Sequence, residues 1–295
     1  MKIIIPMSGI GKRFKDVSYT VPKPLIVVSG KPIIQYVIEM FPGDHAFIFI
    51  CNKEHLATTD MKDVLLALVP SAVIIPIDAH SKGPVYATKL AFPFIKDNED
   101  VMISYCDYAM DFDFDGMIKI IKENGYAGAV PSYTGFHPHL LHKNVYGGIL
   151  RSDNGQMLDY KEKHSFTENK MDSHHSSGAY YFSNGKEFKK YADELSDSNI
   201  SINGEKYTSM MYYLYLRDGK KIYVPEAQKF MQWGTPEDLE EYEAWARCIK
   251  EKHNLPINAS DIPKQRSVKI PWKDESVEFK KSYEYWLEYF KNKYN

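Results

Sequence analysis

Two short segments near the N-terminus carry the residue types that handle phosphate. Gly9-Ile10-Gly11-Lys12-Arg13-Phe14 places two glycines, whose backbone N–H groups can approach an anion closely, directly before two cations. Soon after, Pro22-Lys23-Pro24-Leu25 holds a third cation between prolines, and Gly30-Lys31-Pro32 follows. A dinucleotide fingerprint would need glycine or alanine where Phe14 stands. A P-loop would need glycine at Pro6 and Ser or Thr at Arg13. Both patterns fail. Taken alone, the glycine turn is as readily a surface turn with solvated charges. Farther along, Asp107 closes the run Tyr105-Cys106-Asp107, and Glu162 and Lys163 stand side by side.

The elements that must position these groups alternate. Ile3-Ile4-Ile5 with Met7 is a continuous β-branched run that stops at Ser8-Gly9, the pattern of a buried parallel strand entering a glycine loop. Short apolar runs recur at 46–50, 72–75, 101–104 and 128–130, with helix-length segments at 33–41, 61–68 and 85–94 between them. The first 130 residues therefore predict a mainly parallel, Rossmann-like sheet with helices on both faces. Residues 146–182 read as shorter strands and turns, a smaller β-rich region. A helical segment near 207–217 and a strand at 221–224 follow. Thr235-Pro236-Glu237-Asp238 then has the cap, the first-turn proline and the N3 carboxylate of a helix running to about Lys252.

The composition excludes several classes. With 44% hydrophobic and 14% aromatic residues the chain can bury a core, and a charged fraction of 26% argues against disorder. The 37 basic and 39 acidic residues leave no basic excess of the kind a nucleic-acid backbone demands. Cys51, Cys106 and Cys248 form no CxxC pair, so free thiols in a reducing compartment are expected. No apolar stretch approaches the roughly 20 residues of a membrane span. The chain reads as soluble and cytoplasmic, with neither nucleic acid nor membrane as partner.

The loop Gly9-x-Gly11-x-Arg13, then Pro22-Lys23-Pro24, then Gly30-Lys31-Pro32, taken together, resemble the signature of the sugar-phosphate nucleotidyltransferase family, with glucose-1-phosphate thymidylyltransferase-like and cytidylyltransferase-like members. Further pieces stand in that family's order: Gly83-Pro84-Val85-Tyr86-Ala87, Tyr105-Cys106-Asp107, Tyr146-Gly147-Gly148, Glu162-Lys163, Ser177-Gly178-Ala179-Tyr180, and Trp233-Gly234-Thr235-Pro236-Glu237-Asp238-Leu239. The likeness covers about residues 1–245 as a catalytic domain and leaves 246–295 as a linker and aromatic helical extension.

The resemblance implies transfer of a nucleotidyl group from a nucleoside triphosphate to a sugar 1-phosphate, giving a nucleotide-sugar for polysaccharide assembly and pyrophosphate. The nucleophile is already an anion, so the task is to gather anions and neutralise the leaving group. On this reading Arg13 and Lys23 are catalytic, and Ser8, Gly9, Gly11, Lys12 and Gly83 bind nucleotide. Gly148, Glu162, Lys163 and Gly178 bind the acceptor, and Asp107 holds Mg²⁺. The pattern departs at Gln232, where the family usually has a second metal aspartate. Either the ion relies on Asp107 and phosphate oxygens, or another carboxylate substitutes. Two alternatives stand beside this reading: cytidylyl transfer to a non-sugar phosphate such as phosphocholine, and a non-catalytic nucleotide-sugar-binding regulatory protein.

Other groups read more simply. His137, His139 and His142 form no metal pattern with Cys or carboxylate, so solvated histidines are expected there, with a substrate-side loop as the alternative. Asp111, Asp113 and Asp115 read as a solvated edge or helix cap, His174-His175 as a loop, and Tyr180 and Trp233 as core. Phe279, Tyr283, Trp286 and Phe290 form a stripe on one helical face, packing on its own domain or, alternatively, joining copies of the chain as a homo-oligomer.

Overall fold

The computed structural model describes residues 1–135, 137, 140, 146–253, 280 and 283–288. The first half runs β1 (Lys2–Met7), α1 (Lys12–Lys15), β2 (Val27–Val28), β3 (Lys31–Pro32), α2 (Ile33–Glu39), β4 (Ala46–Asn52), α3 (Lys53–Thr58) and α4 (Met61–Leu68). It continues through β5 (Val73–Ile77), α5 (Pro84–Thr88), β6 (Val101–Ser104), β7 (Tyr108–Asp111) and α6 (Phe114–Asn124). Next come β8 (Gly128–Ala129), β9 (Ser132–Tyr133), β10 (Gly148–Arg151), β11 (Met157–Lys161), β12 (His174–Ser176) and β13 (Ala179–Phe182). The second half closes with α7 (Gly185–Asp197), α8 (Met211–Arg217), β14 (Ile222–Tyr223), β15 (Lys229–Gln232) and α9 (Pro236–Lys252).

The central sheet has the order β14-β8-β13-β6-β1-β4-β5. β1 pairs in parallel with both β4 and β6, and β4 with β5. β13 runs against both its neighbours, β6 and β8, which makes the sheet mixed and not wholly parallel. The β-branched run of β1 explains its central place: Ile3, Ile4 and Ile5 are all fully buried, because both faces are covered. Ile3 and Ile5 join one core with α2, α4, α6 and α9. Ile4 joins the other with α5, α7 and α8. Helices therefore flank both faces.

The smaller β-rich region is an antiparallel sheet, β11-β10-β12-β9. His174 and His175 belong to its strand β12 and not to a loop, since β12 pairs with both β9 and β10. The expected helix at 85–94 is broken: α5 ends at Thr88 and a 3₁₀ turn, Lys89–Phe94, takes over. Pro93 supplies the reason, having no N–H to donate and a ring that crowds the preceding turn. Asp113 caps α6 by accepting the Gly116 N–H at 2.8 Å. Thr235 caps α9 from the Asp238 N–H, with Pro236 in the first turn.

His137 is not solvated. Its ring is 3% exposed and lies edge-on to Tyr133 (4.7 Å) and Tyr285 (5.0 Å), where burial pushes its pKa down to about 4. The aromatic residues of β9 and the C-terminal helix enclose it, which no local pattern announces. His139 and His142 lie outside the described residues, as do the segment 254–271 and two members of the aromatic stripe, Phe279 and Phe290. Helical residues 283–288 pack back onto their own chain. Trp286 is buried edge-on to Tyr242 of α9 at 5.1 Å, and the Tyr285 hydroxyl donates to the Phe230 carbonyl (2.9 Å) while accepting its N–H (3.0 Å). Among the described residues, no helix is long and apolar enough to cross a membrane.

Candidate active site

A cleft of about 330 Å³ opens at the carboxyl end of β1. Its walls come from Ser8, Gly9 and Gly11 after β1, from His80 and Gly83 before α5, and from Lys23 and Asp107. Tyr105, Glu205 and Tyr207 also line it. Ligands of open α/β sheets bind outside the carboxyl ends of the strands, and this cleft has that position.

Each element is fixed locally. Gly11 takes the left-handed conformation (φ 65°) that starts the single turn α1. Buried Phe14, the residue that broke the dinucleotide pattern, pins that turn edge-on to Tyr19 (5.1 Å) and leaves Lys12 and Arg13 exposed. Lys23 begins a 3₁₀ turn closed by the Leu25 N–H on the Pro22 carbonyl (2.9 Å), with Pro24 and Leu25 buried beneath it. Asp107 leaves the end of β6, and its carbonyl accepts the Trp233 N–H at 2.9 Å where β7 pairs with β15.

Lys23 and Asp107, 84 residues apart, meet as an ion pair: Nζ to Oδ2 is 2.7 Å, with side chains 22% and 24% exposed. Burial opposes the Lys23 charge, but the Asp107 carboxylate outweighs it, so the ammonium is held above its ordinary range. The sign is that of a base gaining a partner. Its stabilisation is complete at neutral pH and is lost only as pH rises through the raised value.

At another part of the cleft the His80 ring faces the Ser8 hydroxyl, Nε2 to Oγ 3.1 Å. The Lys82 N–H donates to His80 Nδ1 (3.3 Å), which puts the ring proton on Nε2. His80 thus donates to Ser8 and does not activate it as a nucleophile. Burial and then Lys82 push the imidazole pKa down, so the ring is neutral at pH 7.

Glu162 lies beside this wall, ringed by tyrosines. Its carboxylate accepts from the Tyr160 hydroxyl (2.7 Å) and from Ser209, and its N–H donates to the Tyr213 hydroxyl (3.2 Å). Burial pushes the phenols of Tyr105, Tyr180 and Tyr207 up, and the Glu162 charge adds to it in each. Gly178 (φ 101°) packs behind Tyr105, where a Cβ would stand 3.4 Å from the ring. Gly148 opens β10, with the His164 carbonyl against it. Lys163 is exposed.

Gln232 occupies the opposite flank of Asp107. A Cβ on Gly234 would stand 2.4 Å from Gln232 Nε2 and 3.1 Å from Asp107 Oδ2, so both side chains fold over that glycine. The Gln232 amide N–H is spent on the Asp238 carboxylate, which also accepts from the Thr235 hydroxyl (2.8 Å). What Gln232 can still offer a cation is its carbonyl oxygen. No three His, Cys, Asp or Glu residues cluster as a ready-made metal cage among the described residues. The Asp107 carboxylate suits an ion that takes its remaining ligands from phosphate and water, as Mg²⁺ does.

Six of the expected residues therefore share the cleft: Ser8, Gly9, Gly11, Lys23, Gly83 and Asp107. Arg13 stands close enough for its charge to reach Tyr146 and Tyr207. Lys12 and Lys163 are exposed and outside the lining. Sequence reasoning missed His80, Glu205 and Tyr207, which come from loops without motif spacing. Tyr105 could have been found, since it is two residues from Asp107.

Known proteins resemble the chain in sequence and in fold. A nucleotidyl transferase family model matches residues 2–245. A UTP–glucose-1-phosphate uridylyltransferase from Synechocystis sp. is 27% identical over 194 residues, 62% of this chain and 49% of that protein. A mannose-1-phosphate guanyltransferase beta-A from Xenopus laevis is 26% identical over 264 residues, 86% of this chain and 67% of that protein. The chain spans about half the length of the first relative and two thirds of the second. A nucleoside-diphosphate-sugar pyrophosphorylase structure from Vibrio cholerae RC9 superposes with a TM-score of 0.66 at 16% identity, covering 81% of this chain and 98% of that one. With a mixed α/β sheet flanked by helices and a cleft at the β1 glycine turn, the chain belongs to the nucleotidyl transferase family.

Proposed function

We propose that this chain transfers a nucleotidyl group from a nucleoside triphosphate to a sugar 1-phosphate, with Mg²⁺ as cofactor. The observation that carries the reading is the Lys23–Asp107 pair, set in one cleft with the glycine turn Ser8–Gly11. In this reaction an oxygen of the acceptor phosphate forms a bond to the α-phosphorus. The bond from that phosphorus to the bridging oxygen breaks, and pyrophosphate leaves with the electron pair. Lys23, cationic at neutral pH, draws the two anions together. Arg13 forms no ion pair among the described residues and offers its planar fork to the β- and γ-phosphates, beside Lys12. Asp107 would hold Mg²⁺, which neutralises charge on the phosphates. Glu162, Lys163, Gly148 and Gly178 form the acceptor side, and residues 1–245 the catalytic unit, with 246–295 as an extension.

A second acceptor class has an observation in its favour. Glu162 pairs with no Lys or Arg among the described residues and sits among five tyrosines, surroundings that also suit a phosphate bearing an ammonium group. Pyrophosphate release measured over a grid of triphosphates against glucose 1-phosphate, mannose 1-phosphate, glucosamine 1-phosphate and phosphocholine separates the two. Turnover with a sugar phosphate supports the first reading. Turnover with phosphocholine alone replaces it with the second, and none in any combination refutes both.

A further inference from the structure

The two strands that carry the Asp107 end of the cleft form a ribbon of their own. β7 pairs with β15 outside the central sheet, from Lys229 opposite Asp111 to Gln232 opposite Tyr108. Asp107 stands directly before β7, and its carbonyl accepts the Trp233 N–H, so the ribbon ends where the pair with Lys23 begins. A two-stranded ribbon is marginal in water by itself, and its outer backbone groups need partners. At the rung where Phe230 faces Met110, those groups point away from the ribbon. On one side the Met110 N–H meets Met40 Sδ at 3.2 Å, just past α2. On the other, the Tyr285 hydroxyl takes the place of a third strand. It accepts the Phe230 N–H (3.0 Å) and donates to the Phe230 carbonyl (2.9 Å).

Tyr285 is itself held from several directions. Trp286, next to it, is buried against Tyr242 of α9, and Glu288 pairs with Lys229 at 3.0 Å. The Lys229 ammonium also lies over the Tyr285 ring, 5.1 Å from its centre. The Phe230 ring stacks on Tyr133 (4.3 Å, 7° between planes), and Tyr133 lies edge-on to Tyr146 (5.9 Å). The Tyr146 phenol in turn feels the charges of Asp107 and Arg13. Backbone and side chain of Phe230 therefore both lead from the C-terminal helix towards the cleft. Tyr285 lies beyond residues 2–245, the span that the family model matches. On the same helix the Tyr283 hydroxyl meets His253 Nε2 instead, at 2.8 Å, where α9 ends.

We propose that Tyr285 is a positioning residue of the active site: by clamping the Phe230 backbone it fixes the β7–β15 ribbon, and so sets the Asp107 carboxylate against Lys23. Its role in turnover rests on the nucleotidyl-transfer reading of the cleft; the clamp itself does not. Tyr285→Phe removes one hydroxyl and keeps the ring, and Tyr283→Phe makes the same change on the same helix away from the ribbon. Hydrogen–deuterium exchange by mass spectrometry on the full chain reads the clamp. Steady-state pyrophosphate release with Mg²⁺ and the acceptor it turns over reads the consequence. In Tyr285→Phe, exchange over residues 108–111 and 229–233 is expected to quicken by about 3–10-fold, the effect of losing one to two hydrogen bonds. There kcat is expected to fall by about 3–10-fold with both KM values within about 2-fold of native, as for a group that acts in the transition state. Tyr283→Phe is expected to match the native chain in both readouts. Unchanged ribbon exchange in Tyr285→Phe, or an equal gain in Tyr283→Phe, overturns the clamp whatever the turnover. Faster ribbon exchange with native kcat overturns the positioning role and leaves the reaction standing. A native chain that releases no pyrophosphate with any acceptor refutes the reaction, and the role in turnover with it.

Discussion

Replacing Lys23 by Ala isolates the group on which the proposed chemistry turns. The native pair is about three-quarters buried, so the substitution removes the cation and leaves Asp107 facing the phosphates without its partner. At about 4 Å and an effective dielectric near 20, one unit charge is worth about 4 kcal/mol against a phosphate oxygen. Only the part that grows in the transition state lowers the barrier, and a single preorganised donor typically contributes 10²–10³ in kcat. A loss of about 10²–10³ in kcat is therefore expected, with Lys23→Arg recovering part of it. Stability should fall as well, by up to about 3 kcal/mol, because the pair is largely buried and the substitution leaves the Asp107 carboxylate without its partner. Pyrophosphate release under saturating triphosphate and acceptor, beside a thermal melt, reads both. A Lys23→Ala protein that folds and releases pyrophosphate at the native rate refutes the role given to Lys23.

Three further predictions follow from buried groups. Burial, then Asp238, raises the Glu241 carboxyl to about 7, so its folded-state pKa lies above the unfolded value and its ionisation destabilises the fold as pH rises through that range. Glu241→Gln should raise Tm at pH 8 and leave it unchanged near pH 4; a Tm gain equal at both pH values would contradict this. Trp286→Ala removes a side chain only 4% exposed, and should cost about 3–5 kcal/mol in urea unfolding, whereas an unchanged midpoint would show that the C-terminal helix is not docked. Burial pushes the Cys51 and Cys106 thiols to about 12 and Cys248 to about 11. Iodoacetamide at pH 7.5 should label the native chain at least about 100-fold more slowly than the urea-unfolded one, and equal rates by mass spectrometry would disprove the burial.

The sheet was legible because its strands advertise themselves: Ile3-Ile4-Ile5 can be buried on both faces only in a covered sheet, and Pro6, Pro76 and Pro131 end three of the five runs. β13 falls within the 146–182 span that the sequence assigns to the smaller β-rich region, yet it belongs to the central sheet, because its place and direction are set by pairing with β6 and β8. The 85–94 segment was read as one helix because its apolar spacing persists through Pro93, whose missing N–H the spacing does not register. In the site, Lys23 and Asp107 each stood in a recognisable segment, but their contact spans 84 residues and only the fold brings it about. Glu205 and Tyr207 stayed hidden for a different reason. They follow α7 where Asn203-Gly204 marks a hairpin turn but no site, and only the seating of Lys206 on Gly83 turns them into the cleft. His137 was misread because exposure of a loop histidine is a property of its neighbours, here Tyr133 and Tyr285 from distant parts of the chain.

The claim that the cleft performs nucleotidyl transfer is tested most directly by following the phosphorus atoms. With triphosphate labelled separately at the α and γ positions and incubated with the chain, Mg²⁺ and a sugar 1-phosphate, the α label should appear joined to the acceptor phosphate in a nucleotide-sugar. The γ label should leave wholly as pyrophosphate. The γ label appearing on the acceptor or as inorganic phosphate, with the α label still in the nucleotide, would contradict the account.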